Sequence, residues 1–165
     1  MWGRDVAAVA IGGNDTGLVV AALSCINLLP PPAGTSCKAR YTAGGTDQLA
    51  AWIAATAAPF GAALDEIHRR APHARILVTG YGTYIRPNGC YPQIPVWPTD
   101  ANYLQSTIDG LNAMLATQAA AHGAHYVDLR TPSIGHDACA PIGQRWLEGL
   151  IPASAAAPYT PAPKA

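Results

Sequence analysis

Two short, unbroken apolar runs, each stopped by glycine, constrain this chain more than any other feature. Asp5 to Ile11 reads DVAAVAI and ends at Gly12-Gly13, and Arg75 to Thr79 reads RILVT and ends at Gly80. Runs of this length without alternation are how a buried strand of a parallel sheet presents itself. His125-Tyr126-Val127-Asp128 reads as a third strand. Between the strands lie two stretches with helical spacing. From Thr46, the expected N-cap, a helix is predicted to about Arg70, with Leu49, Trp52, Ile53, Leu64 and Ile67 as apolar positions and Pro59 kinking or dividing it. Asp100 is expected to cap a second helix through about Ala121, with Leu104, Ile108, Leu111 and Leu115 on one face. Residues 15–24 suit a short helix, and 25–45, with Pro30-Pro31-Pro32, Gly34, Gly44 and Gly45, read as a long surface loop. Strands alternating with helices imply βαβ units, hence an α/β chain folded as a three-layer α/β/α sandwich around a parallel sheet. The loops after the strand C-termini build the site in such sheets, and here they begin at Gly12, Gly80 and Asp128.

Composition narrows the partners. The 165 residues suit one domain, expected over residues 1–152, followed by an Ala/Pro-rich tail over 153–165. Half the residues are hydrophobic, enough for a sizeable core. Ten basic side chains cancel ten acidic ones, so nothing favours a phosphate backbone or an anionic membrane, and nucleic acid is not an expected partner. The apolar residues never run to the 18 needed for a membrane span, and Met1 to Asp5 lead straight into a strand without a signal-peptide pattern. Cys25, Cys37, Cys90 and Cys139 form no CxxC pair and have no His at zinc-finger spacing, so no structural metal site is expected. An even count at wide spacing suits two disulfides and an exported protein, although four cysteines allow three pairings. The preferred pairing is Cys25–Cys37, closing the Pro/Gly-rich loop, with Cys90–Cys139 stapling two distant loops.

The strongest local signal is Ile11-Gly12-Gly13-Asn14-Asp15. An Asn on a glycine turn after a buried strand can aim its amide NH2 at a developing oxyanion, while the glycines permit close approach and positive φ. Read alone, the same residues also suit a plain strand–turn–helix junction in which Asn14 and Asp15 satisfy backbone donors.

In order along the chain, IGGND, LVTGYGTY followed by a loop with GC, HYVDL, GHDAC, RWLEGL and APYTP resemble the SGNH hydrolases, the GDSL-type esterases and lipases, and within them a secreted bacterial branch held by disulfides. The resemblance spans nearly all of residues 5–161. It implies a flavodoxin-like sandwich, hydrolysis of a small-molecule ester or lipid through a Ser–His acyl-enzyme without cofactor, a secreted location, and the disulfide pairing already preferred. Placed on the family's GxND motif, Asn14 is the side-chain donor of the oxyanion hole, supported by Gly12, Gly13 and Asp15. The family's nucleophilic Ser belongs to a GDS-type motif on a strand ahead of this one. Only Met1 to Arg4 precede it here, so the chain is expected to be a fragment lacking its first strand and its nucleophile. Thr160 of Pro158-Tyr159-Thr160-Pro161 stands where the family has its catalytic His, and a Thr hydroxyl has no useful basicity near neutral pH. The chain as written is therefore expected to be inactive.

No substitute site is evident among the remaining residues. Ser24, Ser36, Ser106, Ser133 and Ser154 lie outside any G-x-S-x-G elbow. His136-Asp137 is the best remaining acid–base pair, but adjacent residues do not readily contact each other, and GHDAC reads better as a loop anchored by its Cys. His68, His73 and His122 read as helix-end or surface residues, His125 as a packing residue and Asp128 as a loop brace. The alternative function is a non-catalytic module that binds acyl or glycan ligands in its cleft, with Tyr81, Tyr84, Tyr91 and Trp97 as possible lining.

Overall fold

The structure, a computed structural model, describes residues 6–13 and 16–148. The tail over 153–165, including Thr160 and Ser154, lies outside the described residues, as do Asn14 and Asp15.

Three parallel strands, β1 (Val6–Val9), β2 (Arg75–Thr79) and β3 (His125–Val127), form a sheet in the order β1-β2-β3. The α/β class and the parallel sheet expected from the sequence are what the structure shows. Register aligns Ala7 with Ile76 and Val9 with Val78, and Val78 with Tyr126, so these residues share one face of the sheet. That face packs in one core with Phe60 and Leu64 of α3 (Gln48–Arg70) and Leu111 and Leu115 of α4 (Pro98–Ala121). The opposite face, at Val6, Ala8, Arg75 and His125, is exposed, so His125 is not the packing residue expected.

The helices depart from expectation at their ends, for local reasons. Asp47 rather than Thr46 caps α3, accepting hydrogen bonds from the backbone N–H groups of Leu49 at 3.0 Å and Ala50 at 3.1 Å. The helix runs on through Pro59, because Pro59 and Ala55, whose carbonyl loses its donor, both sit on exposed turns. α4 starts at Pro98, two residues before Asp100, with proline in the first turn where its missing N–H costs nothing. Asp100 is instead buried in that turn. Its carboxylate accepts from Ser36 Oγ at 2.5 Å and from the Lys38 backbone N–H at 3.0 Å.

Those two partners lie in the supposed loop. Residues 25–45 contain a short helix, α2 (Cys37–Tyr41), capped by Ser36 Oγ, and a single 3-10 turn over Ala43–Gly45. Ahead of them lies α1 (Leu18–Ser24). Cys25 is disulfide-bonded to Cys37 and Cys90 to Cys139. A second core gathers around these bridges, with Ala21, Ile85, Ile94, Val96, Leu104 and Ala138. Near the end of the described residues Leu147 is buried, while Trp146 is exposed and stacks on His136 with ring centroids 4.4 Å apart.

Candidate active site

The glycine turn leaves the sheet at the C-terminal end of β1. Gly12 is buried with φ of 115°, a conformation that disfavours any residue bearing a Cβ. Gly13 is needed for a different reason, close approach: a Cβ there would stand 2.8 Å from the hydroxyl oxygen of Tyr81. The turn closes onto α1 through Thr16, whose hydroxyl donates to the Gly12 carbonyl at 2.9 Å, and through Leu18, whose N–H donates to the Gly13 carbonyl at 3.0 Å. The backbone between them carries Asn14 and Asp15, which lie outside the described residues.

The turn after β2 faces this one. The Gly13 N–H donates to the Tyr81 hydroxyl at 2.8 Å, a contact between residues 68 apart in the chain. Tyr81 is itself held by Asn112 of α4. The Asn112 side chain accepts from the Tyr81 N–H at 2.7 Å and donates to the Tyr81 carbonyl at 2.8 Å, replacing the backbone pairing a strand would give. Two turns earlier on α4, Gln105 accepts from the N–H groups of Tyr84 and Ile85 and donates to Asp109. Burial, reinforced by the neighbouring Tyr81, pushes the Tyr84 phenol up to about 12, so it stays neutral throughout the ordinary pH range.

Between these two turns and α1 lies a cavity of about 700 Å3. Apolar side chains dominate its lining, among them Leu18, Val19, Leu23, Ile94 and Ile108, while Gly12, Gly13 and Tyr81 stand at its polar end. Such a space suits a hydrocarbon chain whose head group reaches the glycine turn.

The other expected residues are elsewhere. Ser133 is buried in a structural role, donating to the Leu129 carbonyl and accepting from the Thr83 N–H. Ser106 donates to the Tyr103 carbonyl on the outside of α4, Ser24 to the Ala21 carbonyl, and Ser36 caps α2. His136 and Asp137 do part company: His136 stacks on Trp146, whereas Asp137 is buried and receives Arg86 Nε at 3.1 Å and the Cys139 N–H at 2.9 Å. His122 pairs with Asp65 at 2.7 Å, and His68 meets the His122 carbonyl, both away from the cavity. Asp128 braces its own turn by accepting from the Arg130 and Thr131 N–H groups, and the hydrogen bond from the Thr131 side chain leads the causes that hold its carboxyl below the usual range. Of the aromatics in the 81–97 loop, Tyr81 and Tyr84 line the cavity. Tyr91 and Trp97 instead tie the loop down by donating to the carbonyls of Leu28 and Leu29. Asn112 and Gln105 escaped the sequence reading. No local signal sets them apart, since α4 also carries Asn102 and Gln118.

A sequence model of the GDSL-like Lipase/Acylhydrolase family matches residues 2–154. The chain belongs to that family. Among curated relatives, "Lipase 2" of Streptomyces coelicolor is 33% identical over 156 residues, covering 90% of this chain and 52% of that protein. "Lipase" of Streptomyces rimosus is 30% identical over 149 residues, covering 90% and 51%. Two solved structures share the fold at a TM-score of 0.77. They are a phospholipase A1 from Streptomyces albidoflavus, at 25% identity over 95% of this chain and 62% of that one, and an extracellular lipase from Streptomyces rimosus, at 28% over 96% and 63%. This GDSL-family chain spans about half the length of the curated relatives it matches.

Proposed function

We propose that this chain forms the acyl-binding cleft and the oxyanion side of an SGNH-type carboxylic ester hydrolase acting on a small ester or lipid. The observation that carries this reading is the apolar cavity whose polar end is the glycine turn of the IGGND motif. In the reaction of the family, an acyl carbonyl placed at that turn would become negatively charged as a serine attacks it. Asn14, next to Gly13, is the residue whose amide would donate to that charge, with Gly12 and Gly13 shaping the turn and Asp15 supporting it. Removing a donor of this kind typically costs a factor of about 10²–10³ in rate.

The same reading makes the 165-residue chain inactive by itself. Its four described serines are committed elsewhere, and Thr160 supplies no general base. Export fits the two disulfides, which persist in oxidising compartments. Residues 1–152 act as one domain in this reading, with 153–165 as a tail. The alternative, a module that binds acyl ligands without turnover, is favoured over a glycan module because Tyr81 and Tyr84 face an apolar cavity while Tyr91 and Trp97 are spent on loop packing.

The test is hydrolysis of p-nitrophenyl butyrate by the purified, oxidised chain beside Asn14→Ala. The expected result is no turnover above a heat-denatured control in either protein. Turnover that disappears in Asn14→Ala would place a working nucleophile in the chain and overturn the inactive reading.

A further inference from the structure

Tyr81 and Tyr84 both line the cavity, and among the described residues neither hydroxyl proton has an acceptor, but of the two only the Tyr81 hydroxyl also meets the glycine turn. Tyr81 accepts the Gly13 N–H through its oxygen, and among the described residues its own O–H proton has no acceptor. Its ring is fixed from behind, since Asn112 clamps both backbone groups of Tyr81 and is itself buried. Accepting a hydrogen bond makes a hydroxyl a stronger donor, because the two bonds polarise one another. Apart from the Tyr84 hydroxyl, which lies away from the glycine-turn contact, the side chains of the lining are hydrocarbon, so a carbonyl or carboxylate oxygen entering with an alkyl chain meets few competing partners at that turn. An unmet donor beside apolar walls therefore selects one class of ligand, an alkyl chain ending in an acceptor oxygen.

We infer that the Tyr81 hydroxyl is a head-group donor of this cleft, hydrogen-bonding the carboxyl or carbonyl oxygen of a fatty acyl ligand whose chain fills the cavity. The inference rests on the acyl-cleft reading above and adds a specific recognition residue to it. Tyr81 serves as a bridge: Asn112 sets its backbone, its oxygen steadies the glycine turn, and its proton meets the ligand.

Binding to the full, oxidised chain tests this without any need for turnover. The probes are sodium decanoate and decyltrimethylammonium, which share a tail but differ in having an acceptor oxygen. Calorimetric titration should show decanoate binding weakened by about tenfold or more in Tyr81→Phe, the loss expected for one hydrogen bond to a charged oxygen. Decyltrimethylammonium should bind both proteins within about twofold, and the carboxyl resonance of bound [1-13C]decanoate should move toward its free position in the variant. Unchanged decanoate affinity in Tyr81→Phe overturns the donor role and leaves the acyl cleft standing. Equal losses for both probes also overturn it, since they assign Tyr81 to the shape of the turn alone. If neither probe binds the parent chain, the acyl-cleft reading itself fails. A second measurement needs no variant: with tyrosine labelled at 13Cζ, the Tyr81 resonance shifts on adding decanoate, and its failure to move during saturable binding contradicts the inference.

Discussion

Gly13 and Tyr81 show how little freedom the site leaves a single residue. The absence of a Cβ at Gly13 is what lets a hydroxyl oxygen approach its backbone, since a methyl group would sit 2.8 Å from that oxygen. Gly13→Ala should therefore lose the contact and destabilise the oxidised protein by about 1–3 kcal/mol in urea titration. In a Tyr81→Phe background the same substitution should cost less, because the oxygen it collides with is gone. Strict additivity of the two changes would contradict that geometry. The glycine turn was legible in the sequence because its chemistry is local. Asn112 and Gln105 were not, because an amide on a helix declares its role only when the tertiary fold brings a backbone to it.

At the scale of elements, strands were read with fidelity and helix starts were not. RILVT is β2 residue for residue, since an unbroken apolar run between turn residues leaves little choice. Helix ends turned on side chains with more than one possible partner. Asp47 won the cap of α3 over Thr46 and also receives the Tyr103 hydroxyl at 2.8 Å, joining α3 to α4. Asp47→Ala should cost about 1–2 kcal/mol, read as a lower urea midpoint with an unchanged slope. Asp100, expected as a cap, was drawn into a contact 64 residues away with Ser36, which no local pattern announces. The helix at Cys37–Tyr41 was hidden the same way, inside a segment whose prolines and glycines suggested only loop.

For the whole molecule, the disulfides and the buried phenols set how stability responds to conditions. Cys90–Cys139 spans 49 residues and Cys25–Cys37 only 12. By chain entropy, paired Cys→Ala changes should cost about 4 kcal/mol at the first and about 3 kcal/mol at the second. Equal thermal shifts, or a larger one at Cys25–Cys37, would speak against that ordering. Alkali should act through the tyrosines. Burial raises the Tyr84 phenol to about 12 and also raises Tyr103 and Tyr126 above their ordinary value. Near pH 10 and above, the unfolded chain therefore loses these protons before the folded one does. Their contribution is complete below about pH 10 and falls as pH rises toward 12. Melting temperature should accordingly drop more steeply above pH 10 in the parent than in Tyr84→Phe. Parallel profiles would remove Tyr84 from that account.

The proposed function has this GDSL-family chain hold an acyl cleft without a nucleophile of its own, and the mass of the intact protein after exposure to a decyl fluorophosphonate probes that proposal most directly. An unchanged mass is the result that proposal predicts, since it assigns no activated serine to the glycine turn. A single stoichiometric adduct mapped to one serine would contradict it.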